Sequence, residues 1–379
     1  MKILTAHNLY QVRGGEDESR LVEENLMSQN GHEVRSLEMN NNSIDLNSSK
    51  LSIAINSIWS KSSYKEVKKL IRSHQSEILH VQNFFPLLSP SIYYAAQSLK
   101  VPVVQSIRNY RLMCPNALLF RDGHVCTECV GKKIPLNGVI HNCYRGSKSA
   151  SAAVTAMLAV HNSIDSWNRK VNAFIAISKF VKGKLIAQGI QENKIRIKPN
   201  CLSTDPGCSY DKKDYILYVG RLSQEKGIST LVKAWDLLNS KTTKLLVIGE
   251  GDLAGSNSQT IEYMGKLSLS ETYRYMSQAK ALIVPSEWHE PFGRVVVEAF
   301  ANGTPVIGSK MGGIPELICP GRNGLLFEAG NVEQLANQIE IIISEDNGEM
   351  AREARQEFLL KYTPEKNYLQ LKHIYESVI

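Results

Sequence analysis

Asp214-Tyr215-Ile216-Leu217-Tyr218-Val219-Gly220-Arg221-Leu222-Ser223-Gln224-Glu225-Lys226-Gly227 is the stretch that decides how the rest of the chain reads. It begins with an uninterrupted apolar run, the pattern of a strand buried on both faces of a parallel sheet. It continues as a polar loop holding two cations, Arg221 and Lys226, and leads into a helical pattern. Strand, loop and helix in that order are the first half of a β-α-β unit. The loop therefore lies at the C-terminal end of a parallel strand, where such sheets bind ligands. A planar guanidinium and a mobile ammonium at that place suit a diphosphate.

The same alternation runs in both directions. Downstream, apolar runs at 245–248, 260–263, 281–284 and 305–307 are spaced to leave room for helices, and helical patterns close the chain at 332–343, 348–360 and 364–378. Upstream, strand patterns fall at 2–6, 33–37, 78–81, 101–107, 173–177 and 194–198, with an amphipathic helix over 16–29 stopped by Asn30-Gly31. Between the two series, Asn200-Cys201-Leu202-Ser203-Thr204-Asp205-Pro206-Gly207 has linker chemistry. The expectation is an α/β chain of two Rossmann-like domains, 1–205 and 206–363, each a doubly wound parallel sheet. The ligand cleft is expected between them.

A chain of 379 residues, 43% hydrophobic and 21% charged, has material for two packed cores. No run approaches the ~18 apolar residues of a membrane-spanning helix. Met1-Lys2-Ile3-Leu4-Thr5-Ala6-His7-Asn8 reads as a strand rather than a leader, which makes a cytoplasmic location the expectation. Charge is uneven: residues 1–205 carry a net +11 and residues 206–379 a net −4. A basic first half suits an anionic partner. Aromatic residues do not interleave with its charges, which argues against nucleic acid.

The densest chemistry is Glu290-Pro291-Phe292-Gly293-Arg294-Val295-Val296-Val297-Glu298. Pro291 suits the first turn of a helix, and Gly293 allows a ligand close to its backbone. On a helix running from Pro291, Glu290 sits at the mouth and Glu298 two turns inside, placed to grip two ends of one polyhydroxylated ligand. Gly312-Gly313 opens a short helix whose N–H groups suit phosphate oxygens, and Gly14-Gly15 in the first half has the same form.

Taken together, these residues resemble the family 4 glycosyltransferases, whose fold is GT-B. The resemblance covers nearly the whole chain and is densest over 218–327, including Pro285-Ser286, Gly303-Thr304-Pro305-Val306-Ile307 and Gly324-Leu325-Leu326-Phe327. It implies a retaining, metal-independent hexosyl-type transfer from a nucleotide-diphosphate sugar, UDP- or GDP-linked rather than ADP-linked. The acceptor it implies is a glycan or a lipid-linked glycan, in the biosynthesis of a surface polysaccharide or other glycoconjugate. It places Arg221 and Lys226 on the diphosphate and Glu290 on the donor sugar, with the backbone of Phe292 and Gly293 nearby. Glu298 falls on the ribose, and Gly14 and Gly15 where phosphate and acceptor meet. The last helix, 364–379, returns to the first domain in that family.

Two positions depart from the family pattern. Arg108 precedes Asn109-Tyr110-Arg111 where His is frequent, and Gln82 follows His80-Val81 where a second His is frequent. Arg stays protonated and is no base, though it can bind a phosphate or a hydroxyl at a catalytic position. These departures keep two alternatives open, a catalytically impaired nucleotide-sugar-binding partner and a GT-B sugar-nucleotide epimerase. His80 itself reads as support for the strand end.

Three further features stand apart. Cys114, Cys126, Cys129 and Cys143 have a Cys-x2-Cys at their centre, and they are candidates for a structural zinc site, with unligated thiols as the alternative. The pattern over 61–72 is a basic amphipathic helix, an ordinary surface helix or an attachment to anionic lipid at the inner face of a membrane. Gly249-Glu250-Gly251 imitates a dinucleotide loop, but the third glycine, Gly255, is one position late for NAD.

Overall fold

The computed structural model describes residues 1–9, 14–41, 50–238 and 242–379, so the loop residues Gln11, Val12 and Arg13 lie outside the described part. Along the chain the strands are β1 (Lys2–Leu9), β2 (Glu33–Asn40), β3 (Ile78–Asn83), β4 (Val103–Ile107), β5 (Phe120–Arg121), β6 (His124–Val125), β7 (Ala173–Ala176), β8 (Ile195–Ile197), β9 (Tyr215–Val219), β10 (Lys244–Ile248), β11 (Ile261–Gly265), β12 (Ala281–Val284), β13 (Val306–Ser309) and β14 (Gly324–Phe327). They form two six-stranded sheets, both parallel, and one short hairpin, β5–β6.

The chain divides into two compact units. The first comprises 1–119, 126–199 and 367–379; the second comprises 120–125 and 200–366. In the first unit the sheet order is β2-β1-β3-β4-β7-β8. Its core gathers Ile3, Met27, Ile78 and Ile175 with Leu371 and Tyr375 of the final helix, Pro364–Glu376. In the second unit the order is β11-β10-β9-β12-β13-β14, with a core around Ile216, Leu231, Val247, Ile283 and Leu335. The runs at 215–219 and 281–284 are strands because every residue but Val219 is buried, so both faces must be apolar.

Each order has a point where successive strands begin to be added on the opposite side. In the second unit it lies between β9 and β12, and in the first between β1 and β3. Crevices at such points are where doubly wound sheets take ligands. Gly220-Arg221 and Pro285-Ser286 leave the paired ends of β9 and β12, while Gly14-Gly15 and Gln82-Asn83 stand at the corresponding ends of β1 and β3.

Two readings need correction. Pro291 is not in a first helical turn: the helix is Arg294–Ala301, because Gly293 at φ +92° ends the preceding loop in a left-handed conformation. Glu290 is therefore a loop residue and Glu298 alone is helical. Gly312-Gly313 opens only a three-residue 3-10 turn, Ile314–Glu316.

Candidate functional site

In the second unit, the loops after β9 and β12 bring Lys226 and Glu290 together. The ammonium lies 2.6 Å from Glu290 Oε2, the same oxygen accepts a hydrogen bond from Trp288 Nε1 at 3.0 Å, and the Lys226 ammonium stands 5.1 Å from the centre of the Trp288 ring. Glycine backbones make this approach possible. A Cβ on Gly227, at φ +72°, would fall 1.8 Å from the Pro285 carbonyl oxygen. A Cβ on Gly312 would fall 2.2 Å from the Glu290 carbonyl oxygen, and Gly313 donates its N–H to that same oxygen at 2.7 Å. Gly313 thus spends its N–H on clamping the Glu290 main chain.

Arg221 lies apart from this pair. It is 66% exposed and reaches Glu225 at 3.0 Å. Phe292 is buried and packs edge-on against Tyr362 at 6.2 Å. Glu298 pairs with Arg294 at 3.0 Å; burial raises its carboxyl, and Arg294 opposes that shift. The glycines Gly249 and Gly251 also have a local reason, since Cβ atoms there would strike the carbonyls of Gly220 and Leu222.

In the first unit the charges are buried. Glu23 sits on the helix Gly15–Gln29, ion-paired through Oε1 with Arg108 and Lys198, each at 2.7 Å, and its Oε2 accepts a hydrogen bond from Gln82 Nε2 at 2.8 Å. Arg108 also donates to the Gln82 carbonyl. Burial alone would raise the Glu23 carboxyl, but Arg108 and Lys198 outweigh it and hold the group far below the usual carboxylate range. Lys198 continues to Asn367 Oδ1 at 2.8 Å. His80 is wedged between Ser106 at 2.8 Å and the Tyr375 hydroxyl at 2.6 Å, and burial pushes it down to about 3, so it is neutral. Arg108 is accordingly held in an ion-pair network. One side of it faces a shallow, solvent-open depression that Glu16, Gln82, Asn109 and Arg111 also line.

Gly14 and Gly15 are exposed at the N-terminus of the helix Gly15–Gln29. Asp17 Oδ2 accepts the Gly14 N–H at 3.0 Å, and Asp17 Oδ1 lies 2.7 Å from His7 Nε2. Sequence reading did not find His7, Asp17, Glu23, Lys198 or Trp288. Only Asp17, three residues after a glycine N-cap, carried a local signal.

Cys114, Cys126 and Cys143 all stand close enough to Cys129 for their charges to act on its thiol. Cys114 donates to Asn116 Oδ1 at 2.8 Å, burial pushes the Cys129 thiol up to about 12, and among the described residues no three His, Cys, Asp or Glu side chains are placed to hold an ion. In the helix Lys61–His74, Val67, Leu70 and Ile71 are turned inward. Among the described residues, no helix is long and apolar enough to cross a membrane.

Comparison with known proteins gives this geometry a context. Residues 206–358 match the family model described as glycosyl transferases group 1. Over its whole length the chain superposes on an Anabaena protein, HepE, solved with UDP-glucose, with a TM-score of 0.68, 17% identity and 100% of both chains covered. The fold is GT-B. Among curated relatives, an uncharacterised 42.6 kDa protein from a cps region of Klebsiella pneumoniae is 26% identical over 67% of this chain and 62% of its own length. An uncharacterised glycosyltransferase of Methanocaldococcus jannaschii is 30% identical over 54% of this chain and 59% of its own. The chain thus matches less than two thirds of the length of either relative.

Proposed function

We propose that this protein is a glycosyltransferase that moves a sugar from a nucleotide-diphosphate sugar to a glycan or lipid-linked acceptor in surface polysaccharide assembly. The observation that carries the reading is the Lys226–Glu290–Trp288 cluster at the reversal point of the second sheet. The group 1 match over 206–358, the UDP-glucose complex of HepE and the cps location of a relative support it.

Lys226 and Arg221 bind the donor diphosphate and stabilise the charge that grows on it as the bond to the sugar breaks. Each now holds a carboxylate, Glu290 or Glu225, and each is accessible enough to exchange it for phosphate. Glu290 then turns to the sugar hydroxyls, with the main chain of Phe292 and Gly293 alongside, and Glu298 reads the ribose. The new bond forms on the face the diphosphate leaves, and the proton of the acceptor hydroxyl passes to a diphosphate oxygen. Anomeric configuration is retained, and two protein cations do the work a divalent ion does elsewhere. The acceptor belongs to the first unit, where Gly14 and Gly15 lie. The exposed lysines of the helix Lys61–His74 supply peripheral contact with anionic lipid at the cytoplasmic face.

The test is a thermal-shift panel with UDP, GDP, ADP and their sugar conjugates. A nucleotide at 100 times its dissociation constant adds about 2.7 kcal/mol. UDP or GDP standing out, with the shift abolished in Lys226→Ala, supports the reading. Binding with no transfer, or donor conversion without any acceptor, replaces it with the impaired-partner or the epimerase alternative.

A further inference from the structure

We propose that His7 is a positioning residue that fixes the Gly14-Gly15 loop through Asp17. His7 is fully buried near the end of β1, at the place where β1 and β3 lose register: Ala6 faces Val81, but His7 faces Asn83. Irregularities of this kind in a sheet re-aim side chains and recur beside functional sites. His7 Nε2 meets Asp17 Oδ1 at 2.7 Å, and Asp17 Oδ2 takes the Gly14 N–H at 3.0 Å. Asp17 is itself 1% exposed, so both of its oxygens act in a water-free setting where hydrogen bonds are strong. The carboxylate demands a donor, which puts the imidazole proton on Nε2. His7 Nδ1 is then a buried acceptor with no partner among the described residues. A chain shaped for stability alone has no reason to keep that group, since an apolar residue would fill the same place without it.

What the relay holds in place is informative. Gly14 is extended, at φ −139°, a conformation open to any residue, and among the described residues a Cβ there would meet nothing within 4 Å. Among those residues, neither backbone conformation nor packing calls for glycine. A bare, exposed backbone at a sheet's reversal point suits a ligand lying against it. The relay turns the Gly14 N–H inward and so fixes which edge of that backbone faces out. The link from loop to catalysis rests on the proposed transfer; the link from His7 to the loop does not.

The full-length chain is tested as wild type, His7→Leu and His7→Gln. A glutamine keeps a side-chain N–H for Asp17, and a leucine keeps only bulk. Amide hydrogen exchange at Gly14 should speed up by about tenfold or more in His7→Leu and return towards wild type in His7→Gln, with Val22 and Leu26 in the following helix unchanged. Equal protection of Gly14 in all three, or loss throughout the helix, overturns the proposal. Imidazole nitrogen resonances of wild type at pH 7 must show the proton on Nε2; a proton on Nδ1 alone overturns it even if His7→Leu does not fold. With UDP-glucose as the probe, release of UDP should fall by about a hundredfold in His7→Leu, the scale of a small misplacement. UDP-glucose left untouched by wild type counts against that donor, while the exchange result still decides the role of His7.

Discussion

The two units place charge at equivalent ends of parallel sheets but treat it in opposite ways. At the end of β9 and β12, Lys226 and Arg221 keep contact with solvent, and each holds a single carboxylate. At the end of β3 and β4, Arg108, Lys198 and Glu23 are almost fully enclosed and share Gln82 and Asn367. A pair with one side open to solvent, as Lys226–Glu290 is at 22% and 14% exposure and Arg221–Glu225 is at 66% and 13%, can be given up to a ligand at lower cost, because water and phosphate replace the lost carboxylate. A buried pair cannot, because the abandoned partner stays desolvated. Ion pairs of similar length, 2.6 to 2.7 Å, therefore differ in how readily they can be exchanged: the one in the second unit is partly open to solvent, and the ones in the first form an enclosed brace.

The contrast is broken first at Glu23. Glu23→Gln leaves Arg108 and Lys198 buried without their carboxylate and should cost about 3–5 kcal/mol of stability, read from denaturant midpoints of the whole chain. A loss below about 1 kcal/mol, the size of a surface pair, would abolish the distinction. Lys226→Met should do the reverse. Stability should hardly move, while turnover falls by about 10²–10³, as on removal of one transition-state donor. Loss of the fold in Lys226→Met would put it with the brace.

Acidification sharpens the same contrast. Folded His80 takes up a proton only near pH 3, against 6.5 in the unfolded chain, because burial disfavours the imidazolium. Unfolding therefore binds an extra proton below pH 6.5. Stability is full above that value and falls by about 1.4 kcal/mol per pH unit as the pH drops from 6.5 towards 3. Glu23, whose carboxyl is lowered, adds a loss of the same sign once the pH passes below its ordinary 4.5. In His80→Asn the slope between pH 6.5 and 4.5 should flatten to what remains from groups such as His161, which burial also lowers. An unchanged slope in urea midpoints at pH 7, 6 and 5 would remove His80 from the account.

Much of the fold was legible in the sequence because buried parallel strands must be apolar on both faces. The runs 215–219 and 281–284 match β9 and β12 to the residue. β14 was quoted as a motif without being read as a strand, and the hairpin β5–β6 was missed, since two-residue strands leave no periodicity. Of the candidate site, the sequence singles out Lys226 as a loop cation after a buried strand and Glu290 as the first carboxylate of its pair, and the structure brings the two side chains together. Of the brace, only Arg108 and Gln82 stand out in the sequence, as departures from the family pattern; Glu23, Lys198 and Asn367 each look like ordinary polar residues, and Gln82 and Glu23 are 59 residues apart, Lys198 and Asn367 169. Only the folded sheet brings them to one point.

The smallest expected effect tests the contrast where it is most delicate. Arg221 and Arg108 are both arginines following a central strand of their sheet, and the sequence alone assigns both to the reaction. Exposure separates them. Arg221→Ala removes a side chain that is two-thirds exposed, with one partner, and should change stability by no more than about 0.5 kcal/mol. Its effect should appear in nucleotide affinity, since a charge-assisted hydrogen bond to phosphate is worth about 1.5–3 kcal/mol, and should vanish for a nucleoside lacking phosphates. Arg108→Ala should show the opposite balance: a clear stability loss, with nucleotide affinity held. Calorimetry of UDP and uridine binding, alongside urea midpoints for both variants, separates the two. Were Arg108→Ala to weaken UDP binding while leaving stability intact, its network would be an exchangeable site after all, and the brace would be Lys198 and Glu23 alone.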